Sequence, residues 1–313
     1  MKISEILKRN EVTLSFEIFP PKNDSEEIRK IVTASRKVAG LKPDFISVTY
    51  GAAGTTKGNT VTVAKNIQEQ YGVTAMAHLT CVHATKEDVR LQLEKIRAAG
   101  IENILVLRGD KPAHSDEDPF PEYRYASELA QEVRASAPEF CLGGACYPEG
   151  HVDSLYRSKD IDFLKVKVEA GCEFLTTQMF FNNEVLYNFL YRLRSKGVEV
   201  PVIAGIMPIT NVRQVASVSR ISGTSIPERF KALVDRFGHD EDAMAQAGVA
   251  YATEQIIDLI ANDVNHIHLY TMNRPEIAAA IRNNLSSILS VRHADHDAFL
   301  AEELYGETVT ELF

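Results

Sequence analysis

The sequence contains few cysteines, no long apolar run and no excess of positive charge. Its four cysteines include no CxxC pair, which favours reduced thiols in an intracellular protein over a disulfide scaffold. Residues 1–12 lack the apolar segment of a signal peptide, and no run approaches the roughly 18 apolar residues of a membrane span. The formal net charge of -9 argues against nucleic acid or an anionic membrane as a partner. We therefore expect a soluble, cytoplasmic protein that acts on small molecules.

Several catalytic patterns are absent as well. No GxGxxG follows the first predicted strand, where the chain reads FPPKND, so a doubly wound dinucleotide fold is not favoured. There is no GxSxG elbow and no cysteine nucleophile with a placed base. Lys165 and Lys167 fall on a predicted helix rather than inside a strand, which argues against a Schiff-base aldolase.

A metal site is not favoured either, although some histidines have ligand-like spacing. On a strand, His78 has the opposite parity to Cys81 and His83, so the three would converge only if the strand ended before Cys81. His266 and His268 do share one face of a predicted strand. Ordinary core and rim histidines are the favoured interpretation of both patterns, and we predict no metal.

The first predicted strand, residues 13–21 (TLSFEIFPP), carries a single carboxylate. With a period of two, residues 14, 16 and 18 point to one face, and Glu17 points to the other with Ser15 and Phe19. Two prolines then end the strand because neither can donate a backbone hydrogen bond. Glu17 therefore lies near the C-terminal end of the strand, where parallel barrels form their active sites. An edge strand with one exposed glutamate is the alternative that this stretch alone leaves open.

The rest of the chain alternates apolar, β-branched strands with helices that end at glycine. This alternation indicates a parallel α/β sheet, and a count of eight strands favours a single (β/α)8 TIM barrel in residues 1–285. Two or three extra helices fit between the seventh and eighth strands. Residues 286–313 form an acidic C-terminal extension, which is either a docked helix or a partly disordered tail. The predicted strands are 13–21, 45–50, 74–81, 103–109, 141–148, 174–181, 201–208 and 266–271.

Polar residues follow most of these strands, at positions that face the mouth of a barrel. In the motif LRGD, Gly109 lets a flat ligand approach the backbone, and Arg108 and Asp110 flank it with opposite charges. That arrangement suits a planar, redox-active heterocycle, with an internal ion pair at a loop start as the alternative. The polar residues at the predicted mouth are Glu17, Thr49, His78, Arg108, Asp110, Tyr147, Glu149, His151, Gln178, Tyr270, Asn273 and Arg274.

The motifs together resemble the methylenetetrahydrofolate reductase family in its bacterial form, which has only the catalytic domain. The resemblance covers roughly residues 13–285 and rests on segments in a shared order: FEIFPPK, FISVTYGAAG, AHLTC, ILVLRGD, YASEL, YPEGH, TTQMFF, GIMPIT and HLYTMNR. It implies a flavoprotein that uses FAD to carry a hydride from NADH or NADPH to 5,10-methylenetetrahydrofolate in a ping-pong scheme. The product, 5-methyltetrahydrofolate, would feed methionine synthesis, and we expect a homo-oligomer.

The resemblance also implies roles for individual residues. Glu17 would be the general acid that protonates the folate, with a pKa raised by apolar neighbours such as Phe16, Phe19 and Pro20. Asp110 would stabilise the cationic iminium and tune the flavin potential. The other contacts implied for the folate or the nicotinamide cofactor are Gln178, Tyr270, Met272 and Arg274. The contacts implied for FAD are Thr49, His78, Leu107, Arg108, Gly109, Asp110, Tyr125, Ala126, Ala145, Tyr147, His151, Asp160 and Lys167.

One position departs from the family pattern. Val212 stands after GIMP where relatives often place an aromatic side chain that stacks on the bound substrate, so substrate affinity and the choice between NADH and NADPH stay open. Two other functions also stay open. The chain could be a non-catalytic barrel subunit that holds a partner through its acidic tail, or a barrel hydrolase that uses Glu17 and Asp110 without a redox cofactor.

Overall fold

The computed structural model describes residues 1–9, 11–21, 25–50, 59–111, 118–154 and 156–290. Within these residues, eight parallel strands close into a barrel in sequential order, and the last strand pairs back to the first. The strands are β1 Thr13–Ile18, β2 Phe45–Val48, β3 Thr74–Thr80, β4 Asn103–Leu107, β5 Cys141–Cys146, β6 Phe174–Thr177, β7 Val202–Ile206 and β8 His266–Tyr270. The predicted (β/α)8 barrel is confirmed.

Helices follow the strands and surround the barrel. Three of them, α8 to α10, lie between β7 and β8, as predicted. None of the helices in the described ranges combines the length and apolar character needed to cross a membrane. The helices are α1 Ile3–Ile6, α2 Ser25–Ala39, α3 Asn59–Tyr71, α4 Lys86–Ala98, α5 Ala126–Ser136, α6 Arg157–Glu169, α7 Asn183–Ser195, α8 Val212–Ser222, α9 Glu228–Phe237, α10 Glu241–Ala261 and α11 Pro275–Asn284.

The alternation predicted for β1 places two kinds of side chain on its two faces. Leu14, Phe16 and Ile18 pack in the apolar layer between the barrel and its helices. Ser15 and Glu17 point into the barrel, and every residue of the strand is buried. Burial of one large apolar side chain contributes about 1.5–3 kcal/mol, so the outer face anchors the strand and the inner face is free to carry polar groups.

The N-terminal end of the barrel is closed by apolar side chains. Ile3, Ile6 and Leu7, from α1 and the residue after it, pack against an inner layer of the barrel. That layer consists of Phe45, Met76, Leu105, Cys141, Phe174 and Ile203. This plug was not predicted, because a helix of four residues is too short to show a period in the sequence. The opposite, C-terminal end is therefore the one left to carry a functional site.

Several predicted strands extend too far at their C-terminal ends. The sixth was predicted to reach Phe181, but β6 ends at Thr177. Met179 and Phe181 are apolar because they pack beneath the inserted helices, against Phe230 and Met244, and not because they continue the sheet. Apolar character alone does not distinguish these two environments.

The C-terminal extension predicted for 286–313 is described only at its start. A short 3₁₀ turn occupies Ile288–Ser290, and residues 291–313 lie outside the described residues. The glycine-rich loop after β2, at 51–58, and residues 112–117 of the loop after β4 also lie outside them.

Candidate active site

Glu17 lies inside the barrel near its C-terminal end, where β1 meets β2 and β8. Its register partners on these strands are Ser47 and Tyr270, and its side chain is buried. Burial raises the pKa of Glu17 to about 8, and a hydrogen bond with Ser47 opposes this effect in part. Glu17 therefore holds a proton near neutral pH, as a general acid must.

The apolar neighbours predicted for Glu17 are only partly correct. Phe16 faces the helices rather than the barrel interior, because successive side chains of a strand alternate between faces. Phe19 and Pro20 lie beyond the end of β1 and are half-buried. The surroundings of the carboxyl group are instead formed by residues that point inward from neighbouring strands.

Two of these inward residues are neutral histidines. The Nε2 atom of His78 lies 3.7 Å from Glu17 Oε2, and that of His268 lies 4.0 Å from the same oxygen. Burial lowers the pKa of each imidazole to about 3. Neither ring carries a positive charge near neutral pH, so neither holds Glu17 in its ionised form.

Tyr270 extends across the mouth from the end of β8. Its hydroxyl donates to the carbonyl oxygen of Thr177 at 2.5 Å, and its ring meets His268 edge-on at 5.4 Å. Gly205 makes this position available, because a Cβ atom there would lie 2.6 Å from the Tyr270 hydroxyl oxygen. Gln178 follows β6 nearby, where its backbone N–H donates to Cys146 at 2.7 Å. Tyr270 and Gln178 therefore lie at the mouth, as predicted.

A second group of predicted residues gathers beyond β4 and β5. Arg108 pairs with Asp153, and its guanidinium lies 5.3 Å from the centre of the Phe120 ring. Tyr147 meets His151 edge-on at 4.6 Å. Burial raises the pKa of Tyr147 to about 12 and lowers that of His151, so both side chains are neutral near pH 7.

Helix α6 contributes Asp160 and Lys167 to this second group. Asp160 accepts a hydrogen bond from the backbone N–H of His151 at 3.3 Å, and burial raises its pKa. Lys167 donates to the carbonyl oxygen of Ala145 at 2.5 Å, and burial lowers its pKa. The polar residues around Glu17 and this second group together form a polar track that runs from the mouth along β5 to α6.

The LRGD turn has a more structural role than the sequence indicated. Leu107 is the last residue of β4, and Arg108 pairs with Asp153 rather than with Asp110. Gly109 has a φ of 81°, and a Cβ atom there would lie 2.7 Å from Val82, so close packing within the protein already requires glycine. Asp110 is exposed, and its charge contributes to the raised pKa of Tyr147.

Other predicted site residues lie at the rim. Thr49 is held by its backbone, which donates to Ile18 and accepts from the Thr60 hydroxyl. Tyr125 is exposed at the start of α5, where Ala126 is buried. Met272 is exposed with a φ of 51°.

Arg274 is already bonded within the protein. It donates to the Thr210 hydroxyl at 2.5 Å and pairs with Glu276 at 2.9 Å. Two further polar residues of the predicted mouth also have structural partners. Glu149 accepts from the Ser225 N–H, and Asn273 exchanges hydrogen bonds with the Phe19 backbone.

Some buried polar atoms near the mouth have no hydrogen-bond partner among the described residues. They include His78 Nε2, Arg108 Nε and Thr176 Oγ1. His78 lies on β3, Arg108 lies in the turn after β4, and Thr176 lies on β6, so the three atoms surround part of the opening. Buried polar atoms of this kind ordinarily bind a ligand or ordered water. A flat ligand with polar edges fits this arrangement.

The histidines and cysteines do not assemble into a metal centre in the described ranges, which hold no group of three or more His, Cys, Asp or Glu side chains able to bind a metal ion. His78 points into the barrel beside Glu17, whereas Cys81 lies in the layer beneath the helices. His266 and His268 share the inner face of β8, as predicted.

The model of one protein family, described as methylenetetrahydrofolate reductase, matches residues 2–286. The chain belongs to the methylenetetrahydrofolate reductase family. Among the bacterial relatives, the 5,10-methylenetetrahydrofolate reductases of Escherichia coli and Salmonella typhimurium are each 33% identical, and each match covers 88% of this chain and 92% of the relative. The predicted family is confirmed, and the chain matches these bacterial relatives over nearly their whole length.

Plant members of the methylenetetrahydrofolate reductase family are longer. Methylenetetrahydrofolate reductase (NADH) 1 of Zea mays is 32% identical over 92% of this chain, and the match covers 50% of the plant protein. The chain thus spans about half the length of such relatives. A solved protein from Clostridium thermocellum, described as binding two copies of 5-methyl-5,6,7,8-tetrahydrofolic acid, matches with a TM-score of 0.63. It is 18% identical, with 92% of this chain and 98% of that chain covered, so the likeness shows the fold alone.

The position that departs from the reductase family pattern lies at the edge of the mouth. Val212 is the first residue of α8 and is 41% exposed. Asn211 and Gln214 fix the start of the helix through a capping box. Val212 is therefore only partly exposed, and its small aliphatic side chain cannot stack as an aromatic ring does.

Three polar residues of the barrel interior were not predicted to matter. Ser15, Ser47 and His268 are buried beside Glu17, and each serine hydroxyl is bonded to one nitrogen of the His268 ring. Ser15 shares the parity of Glu17, which was a usable signal. Ser47 and His268 come close only when the barrel closes, and no local pattern in a single strand shows that.

Proposed function

We propose that this chain reduces 5,10-methylenetetrahydrofolate to 5-methyltetrahydrofolate with NADH or NADPH, through FAD in a ping-pong scheme. The reaction would feed methionine synthesis. Membership of the reductase family supports the reaction type. The observation that carries the proposal is a buried carboxyl group at the barrel mouth whose pKa burial raises to about 8, because the folate can accept a hydride only after a nitrogen of its five-membered ring is protonated.

The polar track from the mouth to α6 fits FAD. Unpartnered atoms of His78, Arg108 and Thr176 would bind the polar edges of the flavin, and Asp160 and Lys167 would contact its ribose and phosphates. Bound FAD would take a hydride from the nicotinamide cofactor and pass it to the folate. The remaining proposed FAD contacts are Thr49, Leu107, Gly109, Asp110, Tyr125, Ala126, Ala145, Tyr147 and His151.

Glu17 would perform the acid step. Its carboxyl proton would move to the bridging nitrogen of the folate, so that the five-membered ring opens to an iminium ion. The exposed carboxylate of Asp110 would stabilise this cation. Gln178 would bind the pterin edge, and Tyr270, Met272 and Arg274 would surround the folate tail or the nicotinamide cofactor.

The choice of electron donor is a separate proposal. The maize relative is named for NADH, which supports NADH as the first donor to test. Val212 offers only a small apolar contact to a bound ring, so we expect weaker stacking than an aromatic residue would provide. The homo-oligomer expected from the sequence stays a prediction.

Absorption spectra test the proposed function. The purified protein loaded with FAD should lose its flavin band on anaerobic addition of NADH. The band should return when methylenetetrahydrofolate is added, because the folate reoxidises the flavin. A protein that takes up no FAD, or whose bleached band does not respond to the folate, would contradict the proposal.

A further inference from the structure

Asp153, in the turn that follows β5, is bonded to two of the proposed FAD contacts. Its Oδ2 atom accepts from Arg108 Nη2 at 2.5 Å, and its backbone N–H donates to His151 Nδ1 at 3.1 Å. Arg108 follows β4 and His151 follows β5, so the two contacts come from neighbouring strands. One residue therefore joins two parts of the polar track.

Other contacts fix this turn without the help of the arginine. Glu149 accepts from the Ser225 N–H at 3.1 Å. Val152 packs closely against Gly223, where a Cβ atom would lie 2.8 Å from Val152 Cγ1. The segment between α8 and α9 thus holds the turn on both sides of its centre. Asp153 is therefore a fixed point to which a mobile side chain can be tied.

The carboxylate of Asp153 determines the orientation of the Arg108 guanidinium. One end of the group is bonded to Asp153, and the group lies 5.3 Å from the centre of the Phe120 ring. Because a guanidinium is planar and rigid, these two contacts also determine where its Nε–H points. Arg108 Nε is buried and has no hydrogen-bond partner among the described residues. A buried donor on a cation needs an acceptor, which a bound ligand can supply.

The backbone N–H of Asp153 determines which nitrogen of His151 carries the proton. A backbone N–H only donates, so Nδ1 accepts and is unprotonated. Burial and the nearby charge of Arg108 lower the pKa of His151, so the ring is neutral near pH 7 and its single proton lies on Nε2. The ring is also held edge-on against Tyr147 at 4.6 Å. His151 therefore presents a donor in a fixed direction.

We propose that Asp153 is a positioning residue for FAD: its carboxylate orients Arg108 and its backbone orients His151, so that both present N–H groups to acceptor atoms of the cofactor. This inference rests on the proposed function, in which FAD binds along the polar track. FAD carries acceptor atoms on its phosphates and on its flavin ring. Donors that are fixed before FAD arrives reduce the loss of conformational freedom on binding.

Two other roles for Asp153 make different predictions. The side chain of Asp153 is 52% exposed, and an exposed ion pair often contributes little, in which case its loss would leave FAD affinity unchanged. A carboxylate beside a cation can also screen the positive charge from an anionic ligand. Removing a screening carboxylate would strengthen FAD binding, whereas removing a positioning carboxylate weakens it.

The substitution Asp153→Ala separates the three roles. It keeps the backbone N–H that bonds to His151 but releases the Arg108 guanidinium. The Kd of FAD for the full chain, stripped of cofactor, should rise roughly tenfold, the scale of one hydrogen bond to a charged group. Asp153→Asn keeps an acceptor oxygen in the same place and should recover most of the affinity. Quenching of flavin fluorescence during titration measures each Kd.

Asp162→Ala is the matched control. Asp162 pairs with Lys196 at 2.9 Å and its side chain is 55% exposed, but this pair joins α6 to the end of α7. Its loss should leave the Kd of FAD unchanged. A second comparison combines Asp153→Ala with Arg108→Met. If Asp153 acts through the guanidinium, Asp153→Ala should have little further effect once the guanidinium is absent.

A higher Kd in Asp153→Ala, recovery in Asp153→Asn and no change in Asp162→Ala support the positioning role. An unchanged or lower Kd in Asp153→Ala overturns it, as does an undiminished effect in the Arg108→Met background. Urea unfolding of the cofactor-free variants should match the wild type, which separates lost positioning from lost folding. The expected Kd changes in a chain that does not reduce the folate would support the role of Asp153 and count against the proposed function. Folate reduction with an unchanged Kd would do the reverse.

Discussion

Glu17 is a carboxyl group placed inside a barrel, and among the described residues no charged cation pairs with it. Its nearest titratable neighbours, His78 and His268, are neutral near pH 7. A carboxylate in such a place lacks the hydration that would stabilise its charge. Such a structural cost at a strongly perturbed carboxyl group is typical of a catalytic acid.

This cost makes the stability of the protein depend on pH. The pKa of Glu17 is about 8 in the folded protein and near 4.5 in an unfolded chain, so the folded state alone holds the proton between these values. The free energy of unfolding is therefore highest, as far as Glu17 determines it, below pH 4.5. It falls as the pH rises from 4.5 through 8.

Glu17→Gln should remove this dependence. The free energy of unfolding of the variant minus that of the wild type should increase from pH 5 to pH 8 by on the order of a few kcal/mol. Urea unfolding at the two pH values measures the change, with Glu87→Gln on the exposed side of α4 as the control. An equal difference between variant and wild type at both pH values would show that Glu17 does not titrate in this range.

At the scale of elements, α1 closes the barrel end that lies away from Glu17. The buried side chain of Asn103 holds it there: Oδ1 accepts from the Ile3 N–H at 2.8 Å, and Nδ2 donates to the Met1 carbonyl at 3.0 Å. One asparagine at the start of β4 therefore aligns the plug with the inner apolar layer.

Asn103→Ala should destabilise the protein by about 2–4 kcal/mol, because it leaves buried backbone groups unpaired. The titration of Glu17 should not change, since the substitution acts at the opposite end of the barrel. Chemical denaturation measures the loss, with Asn188→Ala on the exposed face of α7 as the control. A loss no larger than that of the control would mean that α1 is not held through Asn103.

The elements themselves were largely predictable from the sequence. Strand alternation, glycine at helix ends and the count of eight strands all reflect local chemistry, and local chemistry is what a sequence displays. The ends of the strands were less predictable. Residues 179–181 are as apolar as a strand, yet they are buried by helices that come later in the chain.

At the scale of the whole molecule, the barrel has two unlike ends. An apolar plug closes one end, and the other gathers polar groups from several strands around Glu17. The position of Glu17 at this mouth follows from strand order alone. The hydrogen bonds beside it do not, because Ser15 and Ser47 lie 253 and 221 residues from His268 in sequence. Contacts of that separation exist only after the barrel closes.

The central claim is that Glu17 donates the proton in folate reduction and takes no part in flavin reduction. The decisive measurement is the rate of each half-reaction in Glu17→Gln, followed anaerobically through the flavin band. Flavin reduction by NADH should stay close to the wild-type rate, whereas reoxidation by methylenetetrahydrofolate should slow by at least ~10²-fold, the usual scale for losing a general acid. Equal slowing of both half-reactions, or an unchanged rate of folate reduction, would contradict the claim.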